Sequence, residues 1–502
     1  MNKSKFLFIV MLSLFSVTAM AQAVDTTKVA SVPQDHDSVA TDAWSLKQCI
    51  EYALANSLRV QRGNYNVEGF QVNLNQSRAN LLPNLNANGS YGYNWGRSVN
   101  PVTNEFTTQE INFLSPGVSS SVILFNGFRI HNNIKQSSKE YQASLEDLQK
   151  TKNDLILNIA SLFVNVIFNK EQLANAQSQL RSSQNQYERT KKQVVAGSLP
   201  KSNELNLDAQ VATNELNVIT RENALALSFL QLKQALQLPA STPLDVAMPE
   251  IDVEDLVLEQ DRQEIYETAK ATMPEIRSAA LKVQSANYAV KAARGNQYPR
   301  LSLNGSINSN YSSASDRQRF VTDGGEPSVT NPQIGVVGGV GGTPVYSNNP
   351  VSLPSGYMVD GYGRSDQLKD NLFRSVSVGL TIPIFNGLQT RATYQRAIID
   401  RQVATISAAE IDQTLRQNVE TSYNDAIAAS KTYNSSLRQV NAREEAFRMT
   451  KSRFDIGAVP YVEYQVAEND LFQAKSDLAR AKYDFILKKK VLDFYQGKTM
   501  EY

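Results

Sequence analysis

Apolar residues recur every seven positions in two long polar stretches of the chain. The first series is Ile159, Val166, Leu173, Leu180, Tyr187 and Val194, and the second is Val419, Ala426, Tyr433, Val440, Phe447 and Phe454. A seven-residue period is typical of a coiled-coil seam, where one stripe of a helix packs against a neighbouring helix. The other positions are mostly Gln, Asn, Lys and Glu. We therefore expect two helices of about 70 residues, each roughly 100 Å long.

Other stretches alternate apolar and polar residues with a period of two, which is the pattern of half-exposed β-strands. The apolar sets are Leu85, Ala87, Gly89, Tyr91, Tyr93 and Trp95; Leu301, Leu303 and Ile307; and Val376, Val378, Leu380 and Ile382. Asn and Ser occupy most of the intervening positions. A soluble sandwich gives the same alternation, whereas in a secreted chain four strands of about 10 residues with aromatic ends fit an outer-membrane barrel.

Two short motifs occur twice, each time 260 residues apart. Phe125-Asn126-Gly127 and Phe385-Asn386-Gly387 stand between an apolar stretch and a long helix. Gly197-Ser198-Leu199-Pro200 and Gly457-Ala458-Val459-Pro460 follow the long helices, with glycine suited to a left-handed helix end and proline to the first turn of the next helix. We predict strand-to-helix junctions at the first pair and tight helix reversals, or tips, at the second. The chain thus has two internal structural repeats.

Shorter helices complete each repeat. They are predicted at about 46–80 and 263–296, with return helices at about 201–237 and 461–494. Two short helices end to end match the length of one long helix, so they are expected to lie beside it. The second repeat also has an insertion of 44 residues, visible as a stretch rich in Gly, Ser, Asn and Pro at 312–370. We expect a mobile, enlarged external loop there.

Composition excludes several classes of protein. The chain has 50 basic and 49 acidic residues, so we expect no nucleic-acid partner. One cysteine, Cys49, excludes an internal disulfide framework, and only two histidines, His36 and His131, are present. We predict no catalytic residues, no cofactor and no metal site. Lys3 and Lys5 precede an apolar run that ends in a small-residue cleavage pattern, which is typical of a secretory signal peptide at residues 1–21.

The strand count predicts how the chain assembles. Four strands cannot close a barrel, because known single-chain barrels have at least about eight, and open sheet edges are not tolerated in lipid. The strands of several copies must therefore be combined. Each Phe-Asn-Gly motif would mark the point where a strand leaves the membrane and a helix continues into the aqueous compartment.

The chain resembles the TolC-like outer-membrane efflux proteins over nearly its whole mature length. The matching segments are Leu46 to Asn56, the Leu-Pro-Asn-Leu strand entry at Leu82, Ile384-Phe385-Asn386-Gly387 with Arg391, and the tip regions at Tyr187 to Pro200 and Phe454 to Pro460. The resemblance implies an α+β membrane protein that forms a homotrimer. In that trimer, four strands per chain build a shared 12-stranded barrel in outer-membrane lipid, joined to a long coiled-coil helical tunnel in the periplasm. It also implies a periplasmic adaptor, or membrane fusion protein, and an inner-membrane transporter as partners.

The predicted organisation follows the repeats. After the signal peptide come an N-terminal periplasmic segment (22–45), the first repeat (46–238), a linker or equatorial segment (239–262), the second repeat (263–495) and a C-terminal tail (496–502). The first repeat contains strand pair 82–125 and tip 197–200. The second contains strand pair 298–385 with loop 312–370, and tip 457–460.

The tips are the predicted adaptor-docking residues, because they lie farthest from the barrel. Glu463 and Asp470 lie seven residues apart, and so on one helix face, just past the second tip. The positions 260 residues earlier are the uncharged Asn203 and Gln210. By resemblance, acidic residues here line a periplasmic aperture, and three inward carboxylates would attract cations. The alternative is that both acids form surface pairs with neighbours such as Lys475.

Departures from the resemblance concern this same region. Phe454 stands where related drug exporters often have tyrosine, and Val459 where they often have arginine. The mode of closure therefore does not carry over. Two classes of protein remain: an outer-membrane exit duct for tripartite efflux or type I secretion, and a periplasmic adaptor or structural coiled-coil protein. The two strand pairs and two hairpins favour the duct.

Overall fold

The computed structural model describes residues 43–99, 106–108, 110–248, 261–314, 318–338 and 341–498. The predicted signal peptide, nearly all of segment 22–45, residues 249–260 of the predicted linker and residues 499–502 of the tail lie outside these ranges.

Helices and strands alternate in blocks along both halves of the chain. The first half contains α1 (Leu46–Asn56), α2 (Leu58–Ala79), β1 (Asn84–Asn94), β2 (Arg97–Val99), β3 (Phe106–Thr108), β4 (Ile111–Phe125), α3 (Arg129–Val195) and α4 (Lys201–Ala235). The second half begins with α5 (Arg262–Thr272), α6 (Pro274–Gly295), β5 (Arg300–Asn308), β6 (Tyr311–Ser312), β7 (Gln318–Thr322), β8 (Ser328–Thr330) and β9 (Gln333–Val337). It continues with β10 (Thr343–Tyr346), β11 (Val351–Leu353), β12 (Gly356–Asp360), α7 (Arg364–Asp370), β13 (Phe373–Thr381), α8 (Gln389–Asp455) and α9 (Tyr461–Tyr495).

Corresponding helices of the two halves have equal lengths. The long helices α3 and α8 have 67 residues each, and the return helices α4 and α9 have 35 each. Each long helix packs against its return helix and against a shorter helix, as α3 does with α2 and α6. The long helices and the returns thus form two hairpins, α3/α4 and α8/α9.

Both of the predicted shorter helices are interrupted, which corrects the expectation of continuous helices at 46–80 and 263–296. The breaks lie at Ser57 and Met273, whose backbones are extended with ψ of 122° and 129°. Proline disfavours the helical conformation in the residue before it, so Pro274 explains the break at Met273. Ser57 has no such neighbour. Its N–H still donates to the Ala53 carbonyl at 2.9 Å, as in a closing helical turn.

The largest buried cluster lies where α1, α3, α4 and α9 meet. Phe163 and Ile167 of α3, Leu232 of α4 and Ile486 of α9 form its centre. Cys49 of α1 belongs to the same cluster, and its thiol is fully buried. This cluster fixes the base of the first hairpin against the second.

The four expected strands form one antiparallel sheet in the order β1-β4-β5-β13, with β6 added at one end of β4. The long strand β4 pairs with β1 on one side and β5 on the other. Consequently β1 and β13 are the two edge strands of the sheet.

The insertion, expected as a mobile, enlarged external loop, contains strands that pair with one another. Strand β7 pairs with β12, β8 with β11 and β9 with β10, all antiparallel. Because the first strand pairs with the last, the segment is a single two-stranded arm, here called the ribbon (residues 318–360). The glycine-rich run that suggested a loop lies at its turn, where Gly338 and Gly341 have φ of 103° and 91°.

Candidate functional site

One face of the sheet carries only small polar side chains along its central rows. The strand register places Asn86, Ser119, Ser306 and Ser375 side by side in one row. The neighbouring row contains Asn84, Ser121, Asn304 and Ser377. Hydrogen bonds run along this face: the hydroxyl oxygens of Ser306 in β5 and Ser375 in β13 are 2.8 Å apart, and within β5 Asn308 Nδ2 donates to Ser306 at 3.2 Å. This face suits contact with water.

The opposite face is apolar and uncovered. Leu85 of β1 and Val376 of β13 lie in the same row and are 70% and 81% exposed. Large apolar side chains of this exposure are favourable only against another apolar phase. At the end of β1 away from the helices, the rings of Tyr91, Tyr93 and Trp95 contact one another at 5.6 and 6.1 Å between centroids. An apolar face with aromatic residues at its end matches the lipid side of a membrane strand.

The two predicted strand-to-helix junctions have the same backbone conformation. Gly127 and Gly387 have φ of 64° and 62°. The next residues, Phe128 and Leu388, are also left-handed, with φ of 61° and 64°. Nothing in the sequence indicated these two, because left-handed backbone is unusual outside glycine.

Side chains around the junctions differ more than the backbones. Asn126 and Asn386 each accept a hydrogen bond at 3.4 Å from the backbone N–H four residues later, at the start of the helix. Phe125 is 38% exposed and packs its ring edge-on against Phe128, 5.6 Å between centroids, whereas Phe385 is 79% exposed. The first junction is therefore packed within the chain, and the second presents its aromatic ring outward.

Both tips are tight reversals closed by glycine. Gly197 and Gly457 have φ of 74° and 75°, which confirms the left-handed helix ends. The Ser198 and Ala458 N–H groups donate to carbonyls five residues earlier at 2.9 and 2.8 Å. Pro200 and Pro460 are the residues immediately before the return helices, not members of the first turn, which corrects the expectation. Leu199 is half-buried and Val459 is buried, so the tips are compact.

The two acids of the candidate aperture lie beside arginines of their own hairpin. Glu463 is 3.3 Å from Arg453, and Asp470 is 2.7 Å from Arg443. Lys475, suggested as a neighbour by the sequence, instead pairs with Glu444 at 3.2 Å. All these groups are solvent-exposed, so the pairs are weak and salt-sensitive.

An aromatic cluster closes the second hairpin near its tip. The ring of Phe454 lies 4.9 Å from Tyr464 and 6.1 Å from Tyr461, and Phe447 lies 5.5 Å from Tyr464. Phe454 belongs to this cluster, and Val459 is buried at the tip.

Sequence reasoning missed Glu468, which lies in the contact between the hairpins. Its side chain is buried, and its carboxylate accepts hydrogen bonds from Ser182 of α3 and from Tyr464 at 3.2 Å. Burial raises the pKa of Glu468. Comparing the two repeats does not single out Glu468, because the equivalent position 260 residues earlier is also acidic. That residue, Asp208, is exposed.

Away from the buried apolar cluster at the base, polar side chains join the two hairpins. Gln172 Nε2 of α3 donates to the Ser476 carbonyl of α9 at 3.0 Å, and Gln179 Nε2 donates to Asn469 at 3.1 Å. Nearer the tips, Gln465 of α9 donates to Gln210 of α4. The two hairpins thus lie side by side through amide and hydroxyl groups, with Glu468 as the buried carboxylate among them.

Two classes of site are not found in the described ranges. No group of three His, Cys, Asp or Glu side chains there is arranged to hold a metal ion. Within the same ranges, none of the helices is long and apolar enough to cross a membrane.

Comparison with known proteins extends over both halves. A family model described as outer membrane efflux protein matches residues 49–237 and 265–497. The chain is 21% identical to outer membrane protein TolC of Escherichia coli (strain K12) over 456 residues, 90% of this chain and 81% of TolC. It is 24% identical to cation efflux system protein CusC of the same strain over 457 residues, 87% of this chain and 83% of CusC. A crystal structure of CusC matches with a TM-score of 0.71 at 19% identity, covering 93% of this chain and 97% of CusC.

A two-faced sheet joined to long helical hairpins defines an α+β channel protein of the cell envelope. The chain belongs to the outer membrane efflux protein family, since the family model matches nearly all of both halves. Members are outer-membrane channels that form homotrimers and serve tripartite efflux and type I secretion systems. They work with a periplasmic adaptor and an inner-membrane transporter. The family thereby decides between the two classes left open by the sequence, in favour of the channel.

Proposed function

We propose that three copies of the chain combine their sheets into one closed barrel of twelve strands, three times the four of each chain. The observation that supports this proposal is that the sheet of one chain is open. Strands β1 and β13 stand at its edges, and among the described residues neither has a partner on its outer side. Unpaired backbone groups are costly in lipid. Pairing β1 of one copy with β13 of the next satisfies both edges and closes the ring by three-fold symmetry.

The two faces of the sheet give the barrel its orientation. The apolar face with Leu85 and Val376 contacts lipid, and the Asn and Ser face lines a water-filled passage. The helices continue the passage into the periplasm from the Phe-Asn-Gly junctions. The chain is then a passive exit duct, and its cargo is whatever the inner-membrane transporter delivers.

An apolar stripe on α4 supports the same assembly in the helical part. Leu205, Leu216, Ile219 and Leu227 recur at helical spacing and are exposed, Leu216 by 65%. Helix α4 packs on α3 through its other side. A hairpin of the neighbouring copy would cover this stripe, so that the hairpins of three chains form a continuous tunnel wall.

The two tips, at 197–200 and 457–460, are assigned to docking the helical hairpin of the adaptor. What supports this is their position at the free ends of the hairpins and the left-handed glycine at each, with open space around it. Replacing Gly197 and Gly457 together with valine should reduce export while the channel still inserts in the membrane. Normal export in this variant would remove the tips from the mechanism.

Glu463 and Asp470 are assigned to the narrow periplasmic entrance. Trimeric symmetry brings three copies of each acid together, each beside its own arginine. Because exposed ion pairs are weak, a cation in the passage can replace Arg453 as the partner of Glu463. Glu463→Gln should lower cation selectivity and block by divalent ions in planar bilayers. An unchanged current would mean that Glu463 forms only a surface ion pair with Arg453 and does not line the passage.

The assembly itself is tested with the full-length protein purified in detergent. We expect the mass of three chains, and stepwise ionic current after addition to a planar bilayer. A water-soluble monomer that gives no current would overturn the proposal.

A further inference from the structure

The ribbon is a single long arm that leaves the sheet between β5 and β13. Its register runs from Gln318 opposite Asp360 at the root to Val337 opposite Thr343 at the turn. Twenty residues lie along its first side, from Gln318 to Val337, so a straight ribbon would extend roughly 60 Å. It leaves the sheet at the end opposite the helices, and the arm is long enough to project well beyond the sheet.

Helix α7, which follows the ribbon, is hydrogen-bonded to the end of the sheet from which the ribbon leaves. The buried amide of Gln367 accepts a hydrogen bond from the Ser312 N–H at 3.0 Å. Ser309 Oγ donates to the Leu368 carbonyl at 2.7 Å, and Asn371 Nδ2 donates to the Asn310 carbonyl at 2.8 Å. These hydrogen bonds join the chain just before the ribbon to the chain just after it.

Both faces of the ribbon carry large exposed apolar side chains. Val336 and Val337 are consecutive in a strand, so their side chains point to opposite faces, and they are 49% and 67% exposed. Tyr357 and Met358 repeat this arrangement nearer the root, 60% and 57% exposed. An ordinary solvent-exposed hairpin keeps at least one polar face. Two apolar faces require a cover on each side.

The ribbon also lacks the charges that usually keep exposed strands apart. Residues 327–359 contain no Asp, Glu, Lys, Arg or His. Prolines interrupt both sides, at Pro327 and Pro332 and at Pro344, Pro350 and Pro354. Proline removes backbone donors from a strand edge, so continuous strand addition is disfavoured. The pattern instead favours side-chain packing of face against face.

We propose that the three ribbons of a trimer pack face to face around the three-fold axis and form a collar beyond the barrel. This inference rests on the proposed trimer. In a ring of three, each ribbon has one neighbour on each side, which accounts for two apolar faces on one arm. The ribbon also joins β13, the edge strand assigned to the contact between copies, so the collar continues that interface. The occupant of each face is thus a second copy of this chain.

The test uses cysteine pairs in the full-length protein on intact cells. Val336→Cys combined with Val337→Cys places one thiol on each face of the ribbon. Treatment with a short bifunctional maleimide should then give covalent dimers and trimers on denaturing gels. The matched control is Asp323→Cys with Glu326→Cys, exposed positions in the charged part of the ribbon nearer the root, which should give much less cross-linked product. Cys49 is buried and adds no exposed thiol.

The outcomes separate the collar from the trimer. Trimers on native gels without cross-linked ribbons would overturn the collar and leave the proposed function standing. Absence of trimers on native gels would overturn the proposed function. Cross-linking of the ribbon only to a different protein, or protection of its thiols by lipid, would also overturn the collar. In a supporting result, adding Tyr357→Asp and Met358→Asp to the Val336→Cys and Val337→Cys pair abolishes the cross-linked trimer, while the trimer on native gels remains.

Discussion

At the scale of single residues, Glu468 is the least expected group in the hairpin contact. Its pKa is raised by burial, an effect that Ser182, Tyr464 and the positive charge of Lys451 on α8 partly oppose. Separation of the hairpins would hydrate the carboxyl and return its pKa toward the ordinary value of 4.5. The packed hairpins therefore bind the proton more tightly than separated ones. It follows that acid strengthens the contact.

The stabilisation by Glu468 is complete below the ordinary pKa and is lost as pH rises through the raised pKa. We expect the melting temperature of the purified protein to fall over this range of pH. Glu468→Gln, which resembles the protonated carboxyl, should flatten the dependence, whereas the exposed Glu463→Gln should retain it. Glu468→Val should cost about 1–3 kcal/mol at acidic pH, because the two hydroxyl donors lose their acceptor. The same slope in wild type and Glu468→Gln would contradict this account.

The two junction glycines allow a second comparison between single residues. Their backbones match, but a Cβ on Gly127 would lie 2.5 Å from the Gly295 carbonyl oxygen, whereas one on Gly387 meets nothing within 4 Å. Gly387→Ala should cost about 1–2 kcal/mol through left-handed strain alone. Gly127→Ala should cost clearly more, since backbone must move as well. Thermal unfolding of the two variants measures the difference, and equal losses would mean that the packing at Gly127 adapts easily.

At the scale of elements, periodicity predicted the long helices, the strands and the reversals, because each depends on local spacing and on glycine. It did not predict the break at Ser57, where no proline or glycine stands. It also missed the ribbon. Frequent Gly, Ser and Pro indicate a loop by composition, yet Val351 pairs with Thr330 and Ser352 pairs with Val329, each across more than 20 residues. Non-local pairing of this kind leaves little trace in local sequence.

The two faces of β13 give a prediction for one element. Val376 and Val378 point to the apolar face, and Ser375 and Ser377 point to the polar face of the same strand. Val376→Arg with Val378→Arg should block insertion, because each arginine costs about 2–4 kcal/mol in the middle of the lipid. Ser375→Arg with Ser377→Arg is the matched control and should insert. The fraction recovered in outer membranes is the measurement, and equal recovery would show that the assigned lipid face is wrong.

At the scale of the whole molecule, the sequence predicted the sheet and hairpins but not what joins the hairpins. The strand count led to a shared barrel because unpaired edges are costly wherever the strands lie in lipid. The polar contact of Gln172 with Ser476 and of Gln179 with Asn469 joins positions about 300 residues apart. A glutamine on a helix face gives the same sequence pattern whether its side chain contacts water or another helix. The sequence likewise did not predict the partners of the acids at the candidate aperture. Only the fold shows that Arg453 lies beside Glu463 and Arg443 beside Asp470.

We expect the assembled channel to have a definite orientation across the outer membrane, with the ribbon outside and the tips in the periplasm. Single cysteines at Asp323 and at Ser198 report the two ends, because both positions are exposed. The native thiol does not interfere: Cys49 is buried, and burial raises its pKa to about 12, so it reacts slowly. A membrane-impermeant maleimide should label Asp323→Cys on intact cells. It should label Ser198→Cys only after the outer membrane is permeabilised. The reverse pattern would mean that the chain is inverted, and labelling of both on intact cells would mean that the hairpins do not lie in the periplasm.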